Sequence, residues 1–395
     1  MANMLKNTRA IDDTGLKKLV SRSCRLPEDV LVQIISYLPA KVFFKLLPVC
    51  KTLCRLSLDS HFLLLQSYRN KTISGIIVIG ENILRSFILI DHGAGMPNNS
   101  LEFLSKTGSI LGSAGGLVFI LLEKYEMFRA TTVGICVCNP ARGTQCCLPP
   151  PSGACFRGGV AVRFINDGDG VTKDYKLVYL TQTYGLTASH HCRVYDSVAR
   201  AWTMDKEVDF GPQQLNLEDP VVCGDIVYWV SSDLESYVRD HTYVVAFDVR
   251  DECTQIILLP RETVTSFHNI YGITLWEGKW LCLIHYGPFT GVFGLWLLKK
   301  TSSSVLEWVK MHEISLAQMG FTGKLFFVSY VKLIEVATTM LLVFTAHDTV
   351  YSYNIKDGGA CKKLDSLGLT YFPKLIAYSN TLRPCGDQEE LLEAI

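Results

Sequence analysis

Five short clusters hold the residue types from which a reactive or metal-binding centre could be built. Cysteines pair at Cys136 with Cys138 and at Cys146 with Cys147, and His190-His191-Cys192 sets two imidazoles beside a thiol. These are the donors that hold zinc. Asp167-Gly168-Asp169-Gly170 opens like a calcium loop, and Gly112-Ser113-Ala114-Gly115-Gly116 brings a hydroxyl among glycines as a nucleophile elbow or phosphate loop does. None carries the rest of its chemistry. No Cys-x-x-Cys occurs, the cysteine pairs are spaced too closely for a structural zinc pair, and successive residues of a strand face opposite ways, which separates His190 from His191. Val171 and Thr172 stand where calcium ligands would follow, and no Lys-Ser or Lys-Thr follows Gly116. Both glycine segments therefore read as tight turns. Aspartates and histidines suited to a triad are scattered along the chain, so no catalytic residue, metal or cofactor is expected.

The composition narrows the classes further. Lys plus Arg and Asp plus Glu each total 38, so the net charge is zero and a nucleic-acid partner is disfavoured. Hydrophobic residues make up 48% and charged residues 19% of 395, the balance of a folded chain that buries a large core. Met1 to Asn7 lead into no apolar run, and the most apolar stretches, 325–344 and 295–298, are interrupted by Lys332, Glu335, Lys299 and Lys300. Neither a secretory signal nor a membrane span is expected, and the chain reads as a soluble protein of the cytoplasm and/or nucleus. Its 14 cysteines then read as reduced thiols, most of them acting as small hydrophobes.

Residues 1–25 are polar and basic-leaning and read as a tail, after which the pattern turns helical. Val30, Leu31, Ile34, Ile35 and Leu38 make one apolar face, Pro27 suits a first helical turn, Glu28 and Asp29 suit its positive end, and Pro39 stops it. Further short helices are predicted over 40–46 and 49–56, and a fourth begins after a cap at Asp59 or Ser60. So small a helical unit has too little core to stand well alone and leans on a partner.

From Ile73 the period changes to short β-branched and aromatic runs between turn residues. Glycine-led strands fall near 116, 176, 224, 278 and 323, and turn-bearing strands end near 139, 196, 248, 298 and 354. A repeat near 50 residues with four strands per unit is the mark of kelch-like β-propeller blades, and residues 74–395 hold six or seven of them. Trp202, Ile256 and Trp308 each follow a turn, where a large side chain fills the gap between blades.

Leu26-Pro27-Glu28-Asp29-Val30, Leu38-Pro39, Val49-Cys50-Lys51 and Leu58-Asp59-Ser60-His61-Phe62 resemble an F-box in type and spacing. The remainder is similar to the F-box-associated domain of plant F-box proteins. The likeness rests on Gly115-Gly116-Leu117, Cys138-Asn139-Pro140-Ala141-Arg142 before Leu148-Pro149-Pro150, and Tyr175-Lys176-Leu177-Val178. It continues through Val194-Tyr195-Asp196-Ser197 with Trp202, Tyr228-Trp229 and Ala246-Phe247-Asp248-Val249. The resemblance implies a non-catalytic substrate receptor of an SCF-type ubiquitin ligase. Its F-box, 26–66, would dock on a Skp-type adapter and so on the cullin and RING subunits, while its β domain, 74–395, would capture a target protein. Carried onto this chain, the adapter-facing residues would be Leu26, Pro27, Val30, Ile34, Leu38, Pro39, Val42, Leu46, Val49, Cys50 and Leu53. The family usually places a Trp after Val-Cys-Lys-Ser; here Leu53 follows Thr52 and buries less area, at ~25 cal/mol for each Å² lost.

Target recognition is expected on loops at one propeller face. The candidate loops are 123–132, 152–163, 232–242 and 285–291, of which the third carries Asp233, Glu235, Arg239, Asp240 and His241. Two other readings differ in class: a propeller that binds a small molecule or glycan with little ligase coupling, and a propeller enzyme whose turnover survives loss of residues 1–66.

Overall fold

The computed structural model describes residues 26–80, 83–91, 94–126, 129–152, 158–167, 170–182, 189–232, 242–264, 268–301, 305–322, 328–336, 339–368 and 373–392. Residues 1–25 and the charged positions 233–241 lie outside them.

The prolines and one aspartate set the helical segment. Helix α1 (Glu28–Ile35) starts after Pro27, which sits just before the first turn in an extended conformation rather than inside it as the sequence suggested. Pro39 likewise precedes α2 (Ala40–Leu46). A 3-10 turn over Leu47–Val49 carries Pro48 and delays α3 to Lys51–Leu56, because the proline supplies no N–H for a continuous helix. Helix α4 (Ser60–Arg69) is capped by Asp59, whose carboxylate accepts the Phe62 N–H at 2.9 Å.

Among the described residues the strands form six sheets in propeller order. Blade II runs through Ser109–Ala114, Leu117–Glu126, Arg129–Asn139 and Thr144–Leu148. Blade III covers 158–208, blade IV 214–258, blade V 270–315 and blade VI 328–366. Blade I is assembled from both ends of the propeller: Lys374–Tyr378 is its inner strand and pairs with Gly75–Gly80, which pairs with Ile83–Leu89. The ring closes by this pairing, Gly75 opposite Tyr378 and Ile79 opposite Lys374. The chain then returns to the edge of blade II, where Glu390–Leu391 pairs with Thr144 and Gln145.

Six of the apolar clusters are wedges between neighbouring blades. Each blade needs its neighbours to cover both faces, which is why the repeat must close. The five turn-bearing strands read from sequence are all third strands of blades. Four glycine-led strands are second strands, whereas positions 323–327 lie outside the described residues and precede the inner strand Val328–Val336 of blade VI. Trp202 and Trp308 tie blades as expected: their indole N–H groups donate to Pro149 O at 3.0 Å and Leu258 O at 2.9 Å, on the preceding blade or the chain leaving it. Ile256 does not. It stands half-exposed on the outer strand Thr254–Leu258.

Near the axis, Lys332 of blade VI pairs with buried Asp219 at the entry to the inner strand of blade IV. Lys374 Nζ donates to Leu111 O at 3.1 Å, linking blades I and II. Gly115-Gly116 is a blade turn, as its sequence indicated, with φ of +54° and +88°. Residues 123–132 are not a loop: the strands of a long hairpin run through Glu126 and resume at Arg129. The expected loops 152–163 and 285–291 are likewise partly strand, from Gly158 and up to Gly287. In each case β-branched and aromatic residues carry the ladder further than the polar residues among them suggested.

Candidate adapter-binding surface

The helices sort their apolar residues into two sets. Ile35, Ala40, Phe43, Leu53, Leu56, Phe62 and Leu63 point inward and form one core, with the Phe43 and Phe62 rings 5.0 Å apart. Two residues of the propeller chain complete that core: Ala141 from the last turn of blade II, and Leu382 from the segment after the closing strand.

Polar groups fix this docking. Buried Gln66 donates Nε2–H to Leu38 O at 2.8 Å and accepts the Leu382 N–H on Oε1 at 2.8 Å. Asn380 accepts the Lys41 N–H on Oδ1 at 2.9 Å and donates to Gly95 O at 2.7 Å, while Asn139 donates to Thr381 O at 3.0 Å and Arg383 O at 2.7 Å. Residues 379–385 thus form a strap between the helices and blades I and II. Gly116 lets it lie close, since a Cβ there would come within 2.0 Å of Thr381 Oγ1. Arg383 stacks its guanidinium 3.8 Å from the Phe164 ring and donates to Thr172 O at 3.1 Å, and burial pulls its pKa down to about 10.

The second set faces outward. Leu26 is 54% exposed, Val30 38%, Ile34 51% and Val49 71%, and Pro27, Pro48 and Cys50 are exposed beside them. Leu38, Pro39, Val42 and Leu46 are half-buried at the edge of this surface. Of the residues predicted to face an adapter, Leu53 alone is fully buried: it belongs to the helical core, against which Leu38 and Leu46 also pack in part, and it adds nothing to the outer surface. The position two past Val-Cys-Lys lies on the inner side of α3, which spacing alone does not reveal. Tyr37 was not foreseen. It is exposed next to Ile34 and carries the Arg69 guanidinium 4.5 Å from its ring. Arg69 also donates to Gln33 O at 3.0 Å, and Asn70 to Ser36 O at 2.9 Å, bracing α1 on α4.

Elsewhere the sequence candidates separate. His190 is buried against Phe210 with ring centroids 5.4 Å apart, and desolvation lowers its pKa to about 4. His191 turns outward and pairs with Asp205. Among the described residues no three His, Cys, Asp or Glu side chains converge on a metal position, and no helix is long and apolar enough to cross a membrane. Asp233, Glu235, Arg239, Asp240 and His241 lie outside the described residues.

Residues 113–383 match the F-box-associated beta-propeller domain, and residues 23–65 match the F-box domain. An F-box protein of Arabidopsis thaliana is 26% identical over 256 residues, which cover 60% of this chain and 65% of that relative's length. Among solved structures, a prolyl endopeptidase is 12% identical with a TM-score of 0.37, covering 69% of this chain and 46% of its own. TolB of Acinetobacter baumannii is 13% identical with a TM-score of 0.37, covering 76% and 66%. Likeness this slight carries nothing about function. The family found is the F-box-associated propeller and not a kelch repeat, and it covers well over half of the chain, with an F-box before it and a strap completing that F-box's core: the chain belongs to the plant-type F-box proteins with an F-box-associated β-propeller domain.

Proposed function

We propose that the chain is the substrate-recognition subunit of an SCF-type ubiquitin ligase. The F-box binds a Skp-type adapter, the adapter brings the cullin and RING subunits, and the propeller holds a target protein. The chain itself does no chemistry; the transfer belongs to the other subunits. Such a complex would work in the cytoplasm and/or nucleus.

The observation that supports this most is the division of apolar residues in the helical segment. Its inner faces are already covered, by the helices themselves and by Leu382 and Ala141. Leu26, Val30, Ile34 and Val49 remain on the outside, uncovered by the described residues. Large apolar side chains gathered on a small surface lose free energy to water unless a partner covers them.

The test is co-purification of the full chain with a Skp-type adapter and cullin. Leu26→Asp and Val30→Asp each place a carboxylate in the apolar contact, at several kcal/mol, and co-purification is expected to vanish. Because both side chains face outward, thermal unfolding of the free chain stays unchanged. Undiminished binding in both variants would remove the assignment. Point substitutions are the right tool, because deleting 26–56 would also strip the cover from Leu382 and Ala141.

A further inference from the structure

A cleft of about 230 Å³ lies on blade V beside the chain that joins it to blade IV. It is bounded by Glu262, Thr263 and Asn269 of the chain joining the two blades, and by the turn after Gly287 between the second and third strands of blade V. In an antiparallel blade the first-to-second and third-to-fourth turns emerge on one face, and the remaining turns and the blade connections on the other. The F-box core takes Ala141 from a third-to-fourth turn, and the strap lies on Gly115-Gly116, a first-to-second turn. The cleft therefore opens on the face opposite the F-box.

Its floor holds polar atoms that the described residues leave unanswered. Trp296 is more than nine-tenths buried, yet among the described residues its Nε1–H has no acceptor and the buried Nε2 of His285 has no partner. Between them lies Gly294, where a Cβ would sit 3.1 Å from Trp296 Nε1 and 3.9 Å from His285 Nδ1. Its backbone is ordinary strand, paired with His285 and Glu313, so no positive φ calls for glycine there. The missing side chain keeps open the space beside Trp296 Nε1 and the edge of the His285 ring. Buried polar groups are nearly always paired, and it is the meeting of two unpaired ones at one open cleft that points to an outside partner.

The mouth sets the partner's charge. Lys310 lies 5.3 Å from the Trp296 ring, 2.5 Å from Glu313 and 3.9 Å from Glu262, which leaves one negative charge in surplus. Phe289, 71% exposed, stands at the rim. The indole N–H calls for an acceptor. Burial lowers the His285 pKa to about 4, so its imidazole is neutral and offers one donor and one acceptor. A carboxylate would meet the acidic surplus, and an ammonium group would set donor against donor on the indole. An uncharged group that both accepts and donates suits the floor, and positive charge beside it suits the mouth.

We propose that this cleft is a recognition pocket for the carboxamide side chain, glutamine or asparagine, of a peptide segment in the target, flanked by basic residues that meet Glu262 and Glu313. This rests on the reading of the propeller as a target receptor.

The experiment uses the full chain in complex with its adapter and fluorescent peptides capped at both ends. They carry Lys-Leu-Gln-Leu-Lys, or Glu, Lys or Leu in place of the Gln, and binding is read by anisotropy. The Gln peptide is expected to bind at least tenfold more tightly than the other three. Trp296→Phe, which removes the donor and keeps the ring area, and Gly294→Ala, which fills the floor, should each weaken it about tenfold. Phe289→Ala, at an exposed rim position, gives a third variant that keeps the fold and should also weaken binding. Equal binding of the four peptides, no binding of the Gln peptide, or its displacement by free hexoses rather than by N-acetylglutamine amide would overturn the proposal. Loss of adapter binding with Gln-selective binding retained would remove the ligase reading and leave the pocket standing.

Discussion

Replacing Leu382 with alanine should loosen helices more than 300 positions earlier in the chain while leaving the outer blades intact. Leu382 is fully buried in the F-box core. The substitution removes three carbons at about 0.8 kcal/mol each, and Gln66, bonded to both Leu38 and residue 382, hinders the helices from closing the gap. Leu→Ala at such sites costs about 2–5 kcal/mol, and a value near 3 raises the local opening equilibrium roughly 100-fold. Native-state hydrogen exchange reads this directly, because each amide reports the opening that exposes it. Amides of α3 and α4 should exchange roughly 100-fold faster, those of Val292–Lys300 in blade V at their former rate, and adapter co-purification should decline on warming. Unchanged exchange in α4 would show that the strap does not stabilise the helices. Equal acceleration in all blades would show that helices and propeller open as one unit; either result refutes the reasoning.

Two further perturbations probe other parts of the structure. Gly116→Ala should lower the unfolding temperature of the whole chain, since residue 116 has φ of +88° and its Cβ would strike Thr381 Oγ1; roughly 1–3 kcal/mol is expected by calorimetry, and an unchanged melt would dismiss the close approach of the strap. Buried His190 stays neutral down to about pH 4, whereas in the unfolded chain it takes a proton near pH 6.5, so the unfolded state binds more protons between those values. Its contribution, of order 3 kcal/mol, is fully present above pH 6.5 and lost as the pH falls toward 4, and His190→Phe should flatten that part of the stability curve measured in urea.

Local chemistry made the helical segment legible: Pro27, Pro39 and Pro48 punctuate it, and Asp59 caps its last helix. The blades were legible where a strand ends in Asn or Asp before a turn, as at Asn139, Asp196, Asp248 and Asn354, because those residues begin the hairpins. The glycine-led position 323 lies outside the described residues, and the second strand of blade VI is Thr339–Ala346. The side to which Leu53 points depends on how α3 lies on α2 and α4, and a helix of six residues gives too few periods to fix that phase. The strap was not legible at all. Ser379, Asn380, Thr381 and Arg383 are buried polar residues whose partners lie hundreds of positions away, and no local rule ties Gln66 to Leu382. The rim of the cleft falls in the candidate loop 285–291, but its floor was not legible: Gly294 looks like any strand glycine until His285 and Trp296 are placed on either side of it.

The strap also sets an order of events during synthesis. Residues 26–69 leave the ribosome early, but Leu382 and Asn380, which complete their core and their hydrogen bonds, emerge some 310 residues later, as does the strand Lys374–Tyr378 that closes the ring. At about 5–20 residues per second that interval is on the order of tens of seconds. Throughout it the helices lack their cover, and a chain cut short before residue 382 never gains it. If the helices engage an adapter as proposed, that engagement would thereby be coupled to completion of the propeller, and unfinished chains would be handicapped in it.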